Sequence, residues 1–518
     1  MLQIRHLTIT HRKDLRTLIE DFSMVLNPGD RAVLIGEEGN GKSTLLKWIC
    51  DPRLVEPYAE AAGERITQGK TLAYLPQELP REARGLSVYE FLFGAADAPD
   101  HRDAARLFAQ LGLDDGLLYS AQSMGSLSGG EKVKLQMAAL LLRAPDILLL
   151  DEPSNDIDIE TLEWLERVIL EQAKSVLYIS HDETLMERTA NRVILLEQLR
   201  HKSRSRWTLA NVPFRQFMAE RAAGMEKQEQ LAASERREDA KAQEKFRRIQ
   251  QKVERAQENV SRADPSTGRL LKKKMAAVKA MERRYERERA EQTAFPEQED
   301  AMLLRMDLGQ RMPAGKTVLD FTLPELRCGD RLLARNISLS LRGPEKLCII
   351  GRNGVGKSTL LRALLDALRE REGLLPGYMP QNYDELLPPE QTPLDFLAAH
   401  TGREATTLVR TRLGSLRFTA AEAEHPIAAL SGGQKAKLLL LQLTLRPTNV
   451  LVLDEPTRNL SPLSGPEVRR MLRDYPGAIL SVSHDRTYIA EVCTRVLRLT
   501  EEGLVPASDY RQIPFMSS

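Results

Sequence analysis

Two periodicities divide this sequence. Over most of its length, short apolar runs alternate with longer amphipathic ones. "RAVLI" at 31–35, "ILLLD" at 147–151, "KLCII" at 346–350 and "VLVLD" at 450–454 each carry four apolar residues in succession. Runs this short and continuous predict strands covered on both faces, as in a parallel sheet. "LLKWI" at 45–49 and "LLRALL" at 360–365 open helix-like stretches. Alternating strands and helices predict an α/β class.

Between about Val212 and Pro296 the pattern changes. Apolar residues become sparse but ordered: Phe246, Ile249, Val253, Ala256 and Val260 follow one another at steps of 3, 4, 3 and 4. That is a coiled-coil seam. "SRADPSTG" then signals a loop. Leu271, Met275, Val278, Met281 and Tyr285 resume at steps of 4, 3, 3 and 4, the returning arm of an antiparallel helical hairpin. Its shorter arm, about 22 residues, would reach roughly 30–35 Å. A solvated, charged linker helix is the alternative reading of the same pattern. The expected organisation is a first domain over 1–211, a helical hairpin over 212–300 and a second domain over 301–518.

Charge sharpens this picture. The 518 residues exceed what one hydrophobic core organises, and the whole chain carries a formal net charge of only +1. Within 225–290, however, 19 Lys+Arg stand against 12 Asp+Glu, a local +7, so the remainder carries −6. Basicity concentrated in one segment points to an anionic partner. Lys272, Lys273 and Lys274 are consecutive and have no acid three or four positions away, so no local helical pair neutralises them. No apolar run approaches the roughly 20 residues of a membrane span. Charges inside "MLQIRHLTITHRKD" argue against a secretory signal. Cys50, Cys328, Cys348 and Cys493 are scattered, which fits a reducing compartment rather than a disulfide framework or a zinc site.

The candidate chemistry occurs twice. "GEEGNGKST" supplies Gly36, Glu37, Glu38, Gly39, Asn40, Gly41, Lys42, Ser43 and Thr44. "GRNGVGKST" supplies Gly351, Arg352, Asn353, Gly354, Val355, Gly356, Lys357, Ser358 and Thr359. Each lies between a strand-like and a helix-like run, the context a phosphate-binding loop requires. Glycines let backbone N–H groups curl around phosphate oxygens at a helix N-terminus. Lys42 and Lys357 would reach the β- and γ-phosphates, with Ser43 and Ser358 on Mg²⁺.

Further elements repeat in step. "LSGGE" begins at Leu127 and "LSGGQ" at Leu430; the acids of "ILLLDEP" and "VLVLDEP" are Asp151, Glu152, Asp454 and Glu455; "SHD" recurs at His181 and His484. Signature to aspartate is 24 positions in both copies, and aspartate to histidine is 30. Gln77 and Gln381 precede their signatures by 50 and 49 positions. Equal spacing of this many elements means a duplicated domain. An acidic strand end can hold Mg²⁺ through Asp151 or Asp454 and polarise water through Glu152 or Glu455.

These motifs resemble the ATP-binding cassette family, over both copies and most of the chain. The resemblance implies two P-loop NTPase cassettes paired head to tail, each ATP lying between the phosphate loop of one and the signature of the other. One site would join Lys42, Ser43, Gln77, Asp151, Glu152 and His181 to Ser431, Gly432 and Gly433. The other would join Lys357, Ser358, Gln381, Asp454, Glu455 and His484 to Ser128, Gly129 and Gly130. Ser43, Gln77 and Asp151, and likewise Ser358, Gln381 and Asp454, would surround Mg²⁺. The glutamates and His181 and His484 would be catalytic. Two positions depart from the family. Ser461 stands where the first copy has Asp158, which implies unequal sites. The aromatic usual over adenine has only His11 and Cys328 as candidates, which implies weak discrimination against other NTPs such as GTP.

Two cassettes joined by a charged hairpin resemble the ABC-F group. That resemblance implies a cytoplasmic ATPase on the ribosome, at the tRNA exit site, with the hairpin directed toward P-site tRNA and the peptidyl transferase centre, in antibiotic protection or translation control. The matched glutamine-to-signature spacings leave no room for the extra arm of some housekeeping members, and "DEPTRNLSPLS" is similar to members linked to resistance. Arg262, Arg269, Lys272, Lys273 and Lys274 would meet ribosomal RNA or tRNA phosphates. The expected partners are RNA, not DNA or membrane, and the cassettes pair within a monomer. The competing reading is the ATPase subunit of an efflux transporter.

Overall fold

The computed structural model describes residues 1–94, 99–155, 157–171, 174–199, 204–228, 312–401, 406–416 and 418–507, with a few single positions between 230 and 251. The hairpin expected over 212–300, with Arg262, Arg269, Lys272, Lys273 and Lys274, lies outside the described residues apart from a helix over 214–228. Packing groups Met1–Phe214 with Glu299–Ser518 into one unit and Arg215–Gln298 into another.

The first repeat is built on a six-stranded sheet. Its strands are β3 (Arg31–Ile35), β5 (Leu72–Leu75), β6 (Ile147–Asp151), β7 (Val176–Ile179), β8 (Arg192–Gln198) and β9 (Arg204–Ala210), in the order β5-β6-β7-β3-β8-β9. All neighbours run parallel except the β8–β9 pair. A separate antiparallel sheet has the order β2-β1-β4, from β1 (Leu2–His11), β2 (Thr17–Leu26) and β4 (Ala59–Ile66).

The second repeat copies the first. Its strands are β12 (Lys346–Ile350), β13 (Pro376–Met379), β14 (Val450–Asp454), β15 (Ala478–Val482), β16 (Arg495–Thr500) and β17 (Gly503–Pro506), in the order β13-β14-β15-β12-β16-β17. A long hairpin, β10 (Thr317–Cys328) with β11 (Arg331–Arg342), stands in place of the first repeat's antiparallel sheet. Every residue of β6 and β14 is buried, as continuous apolar runs require. One face of the second sheet carries Leu360, Leu361, Leu364, Leu365 and Leu368 of helix Lys357–Arg369. The other carries Leu438 to Leu441 of helix Gly432–Leu445. The helix after the phosphate loop and the signature helix therefore lie on opposite faces of the second sheet, which holds that signature away from its own repeat's phosphate loop. In the first repeat Leu45, Leu46 and Ile49 of the matching helix likewise pack on one sheet face.

The junction from β3 into the first phosphate loop tolerates only glycine. Gly36 has φ +151°, and a Cβ there would lie 2.3 Å from the Leu196 carbonyl oxygen of β8. Gly351 repeats this, with φ +153° and the Leu499 carbonyl oxygen at 2.8 Å. Gly36→Ala combines a left-handed backbone penalty with overpacking against main chain. It should destabilise the first repeat by about 1–3 kcal/mol or more, measured as an earlier first transition in thermal unfolding.

Candidate nucleotide and catalytic sites

Each phosphate loop is shaped around its lysine. Lys42 Nζ donates to the Gly36 and Glu37 carbonyls at 2.8 and 3.0 Å. Lys357 Nζ donates to those of Gly351 and Arg352, both at 2.9 Å. The helices begin at these lysines with Gly41 and Gly356 as left-handed caps, φ 89° and 102°. Thr44 and Thr359 lie in their first turns.

The signatures are helix starts of another kind. Ser128 and Ser431 cap helices Gly129–Leu142 and Gly432–Leu445, and each forms a reciprocal capping box with Glu131 or Gln434. The fifth residue of "LSGGE" or "LSGGQ" thus fixes the direction in which the glycine N–H groups point. Gly130 is packed so that a Cβ would meet Thr161 at 2.7 Å.

The acidic strand ends carry the candidate reacting groups. Ser43 Oγ donates to Asp151 Oδ1 at 2.8 Å, and Tyr74 donates to Asp151 Oδ2 at 2.9 Å. Asp454 Oδ1 is buried without a hydrogen-bond partner, and burial raises the pKa of its carboxyl although Ser358 opposes that. A hydroxyl beside a carboxylate with a spare buried oxygen suits a hard cation that keeps phosphate and water ligands. Among the described residues no cluster of three or more His, Cys, Asp or Glu could hold a metal alone, as expected where substrate completes the shell. Gln77 donates to Glu152 Oε2 at 3.0 Å.

Glu152 and Glu455 both adopt left-handed backbone, φ 51° and 55°, a strained state for a non-glycine residue that marks functional positions. Their surroundings differ. Glu152 Oε1 lies 3.1 Å from His181 Nε2. Burial would raise its pKa, but the hydrogen bond and charge of His181, with Lys42 and Asn155, outweigh it and hold the carboxyl at about 2. Glu455 is pushed up to about 8 by burial and by the Asp454 charge. His484 Nε2 is 3.9 Å from Glu455; neither ring nitrogen has a hydrogen-bond partner among the described residues, and burial with the Lys357 charge lowers its pKa to about 3.

The two repeats meet so that these parts are exchanged. A cavity of about 1000 Å³ is lined by Ser128 and Gly129 of the first repeat and by Asn353, Gly354, Gly356, Lys357, Ser358, Thr359, Gln381, Asp454, Glu455 and His484 of the second. Cys328, the residue expected near the base, also lines it. At the other site the first loop reaches the second signature: Gly433 N–H donates to Glu38 Oε2 at 2.7 Å. His11 instead engages Asp14 at 2.7 Å.

The unequal sites implied by Ser461 have a physical basis in the first loop. Glu37 accepts from Lys437 Nζ at 2.7 Å, from Ser461 Oγ at 2.5 Å and from Ser464 Oγ at 2.7 Å. Burial alone would raise its pKa, but Lys437 and the two hydroxyls win and hold it at about 2. An aspartate at 461 would meet this ionised carboxylate. In the second loop the matching residue is Arg352, whose Nη2 lies 3.2 Å from Glu160, while Asp158 accepts from the Asn353 backbone. The neutral serine therefore fits an acidic loop, and the aspartate fits a loop with arginine and asparagine. Glu37 belongs to the phosphate-loop motif, whereas Lys437, Ser464, Tyr74 and Asn155 lie outside the motif residues. For Tyr74 a signal existed, since tyrosine stands three positions before glutamine in both copies (Tyr74 and Tyr378).

The ABC transporter family model matches residues 19–155 and 334–458. The ribosome protection protein VmlR of Bacillus subtilis is 28% identical, covering 94% of this chain and 85% of its own length. The ATP-binding protein Uup of Escherichia coli is 28% identical, with coverages of 92% and 77%. ABC transporter F family member 2 of Arabidopsis thaliana is 26% identical, with coverages of 95% and 76%. Among solved structures, an archaeal ribosome recycling factor in complex with an archaeal ribosomal stalk protein has the same fold, with a TM-score of 0.60, 17% identity and coverages of 97% and 90%.

Two predictions arise from this geometry. Glu152 is held ionised by its histidine and Glu455 is not, so Glu152→Gln should lower steady-state ATPase by roughly 100-fold or more, and Glu455→Gln by less than about tenfold. Equal losses would mean that the different surroundings have no catalytic consequence. Ser461→Asp should place a second carboxylate against Glu37 and lower both ATPase and the thermal midpoint. Adding Glu37→Arg, which recreates the polarity of the other site, should recover both.

Proposed function

This chain belongs to the ABC transporter family, as an ATPase of the tandem ABC-F type, and from that premise we propose that it acts on the ribosome in the cytoplasm. ATP would close the two cassettes on each other and favour the ribosome-bound form, and hydrolysis would release it. The observation that carries the mechanism is the exchange of parts across the seam: Ser128 and Gly129 share a cavity with Lys357, Ser358 and Glu455, while Glu38 meets Gly433. Closing the cassettes and completing the catalytic sites are then the same event.

At each site Lys42 or Lys357 holds the β- and γ-phosphates, and the signature glycines present N–H groups to the γ-phosphate, where charge accumulates. Ser43 with Asp151, and Ser358 with Asp454, would hold Mg²⁺, with Gln77 and Gln381 at its edge. When bound, that ion neutralises phosphate charge and orients the triphosphate. Glu152 and Glu455 orient the attacking water, and His181 and His484 contact the γ-phosphate.

The ribosome enters through the kinds of protein this chain is similar to and through its charge. One relative is a ribosome protection protein, and the segment 225–290 concentrates a net +7 in a chain of +1. Among the described residues no helix is long and apolar enough to cross a membrane. The finer reading places the protein in the tRNA exit-site region. Segment 212–300 then points toward P-site tRNA and the peptidyl transferase centre, with Arg262, Arg269, Lys272, Lys273 and Lys274 on RNA phosphates. Antibiotic protection or translation control would follow from that position.

The test is a trapped variant. Glu152→Gln with Glu455→Gln keeps side-chain shape and removes both carboxylates. It should co-sediment with ribosomes in ATP and hydrolyse poorly. In that background, replacing Lys272, Lys273 and Lys274 with glutamate should weaken binding and flatten its salt dependence. A trapped variant that sediments no better than the parent would contradict the ribosome-bound ATP state.

A further inference from the structure

From the signature onward the duplication matches residue n of the first repeat to residue n + 303 of the second, as Leu127 to Leu430, Asp151 to Asp454 and His181 to His484 show. Thr184 and Thr487 are such a pair. Their hydroxyl oxygens face each other at 3.5 Å, so the local two-fold axis relating the repeats passes between them. Around an axis of this kind, if position i of one partner touches position j of the other, then j touches i.

Positions 166/469 and 183/486 obey that rule with the charges reversed. Glu166 of the first repeat pairs with Arg486 of the second at 2.6 Å. Its symmetry mate is Arg469 of the second repeat with Glu183 of the first, at 2.8 and 3.0 Å. A third position follows suit within each repeat. Arg188 donates to Glu166 at 2.9 Å, and in the second repeat Arg469 donates to Glu491 at 2.9 Å. All three positions therefore carry opposite signs in the two copies. The inner members are well buried: Glu166, Arg469 and Arg486 are 5%, 4% and 3% exposed.

We propose that Glu166, Glu183 and Arg188 of the first repeat, with Arg469, Arg486 and Glu491 of the second, form a sign-reversed ion-pair lock that makes the first cassette specific for the second and rejects a second copy of itself. Identical repeats would form the same contacts in first–first and second–second pairs. Here a first–first pair puts Glu166 against Glu183 twice, and a second–second pair puts Arg469 against Arg486 twice. Buried like charges cannot be relieved by water, and such repulsion is how related interfaces exclude wrong partners. Only the first–second pairing neutralises every member. Asp182 accepts from Arg486 at 2.9 Å and so adds to the first repeat's preference for the second, whereas Asp485 lies beside Glu183 and opposes it, so the exclusion of like pairs rests on positions 166/469 and 183/486.

The test reverses the lock in the full chain. Glu166→Arg, Glu183→Arg and Arg188→Glu make the first cassette match the second in sign. Arg469→Glu, Arg486→Glu and Glu491→Arg do the converse. Each triple variant should lose at least tenfold in ATPase, since the cassettes can no longer close on each other. The sextuple variant exchanges the signs and, by the two-fold symmetry, restores the set of pairs, with Asp485 taking the place of Asp182 as the acid beside the arginine. It should regain at least half the parent rate. Mixed in equal amounts, the two triple variants should form a two-chain particle by light scattering and regain ATPase in trans, which neither does alone. A sextuple variant that is folded by circular dichroism but no more active than the triples would overturn the proposal. So would triple variants with unchanged ATPase, because packing rather than charge would then govern the contact.

Discussion

The chemistry of this protein depends on burying charge between its two repeats. Each phosphate loop faces the signature of the other repeat, Lys357 and Ser358 across a cavity from Ser128 and Gly129 and Glu38 against Gly433, so each site takes residues from both repeats. Completion requires a seam that crosses Glu37 with Lys437, and Arg469 and Arg486 with Glu183 and Glu166. Such contacts contribute little net stability when formed, because desolvation consumes most of the Coulomb gain, but they are costly to break one-sidedly. A seam of this composition favours pairing in the correct register over pairing as such.

The same polarity explains why the two sites are not copies of each other. The first phosphate loop is acidic at Glu37 and Glu38, and the surface it meets offers Lys437, hydroxyls and the Gly433 N–H. The second loop carries Arg352 and Asn353 and meets Glu160 and Asp158. The exchange continues into the candidate catalytic glutamates. His181 helps to hold the Glu152 carboxyl low, at about 2, whereas burial and the Asp454 charge push that of Glu455 up to about 8. The two sites therefore present environments of different charge, the basis on which unequal turnover is predicted.

Much of this was legible in the sequence, because the relevant constraints are local. Four apolar residues ending in Asp-Glu can only be a buried strand delivering acids to an edge, and β6 and β14 are such strands. Glycine-rich loops before Lys42 and Lys357 require left-handed caps, and Gly41 and Gly356 supply them. Ser461 was visible as a departure, but its cause was not. It lies in Glu37, 424 positions earlier, and no periodicity connects them. The sign reversals at 166/469, 183/486 and 188/491 were likewise present as letters. Outside the motifs only the fold shows that they face one another. The basic segment before the second repeat is legible from composition and spacing alone, and Arg262, Arg269, Lys272, Lys273 and Lys274 within it lie outside the described residues.

The central claim is that the repeats pair head to tail about an axis between Thr184 and Thr487. Changing both residues to cysteine, in a chain whose exposed Cys328 is replaced by serine, tests it directly. With the native hydroxyls 3.5 Å apart, mild oxidation in ATP should produce a 184–487 disulfide within single chains, identified by mass spectrometry of the joined peptide and unchanged on dilution. Free thiols at both positions under those conditions, or bonds formed only between chains, would contradict the pairing on which the account rests.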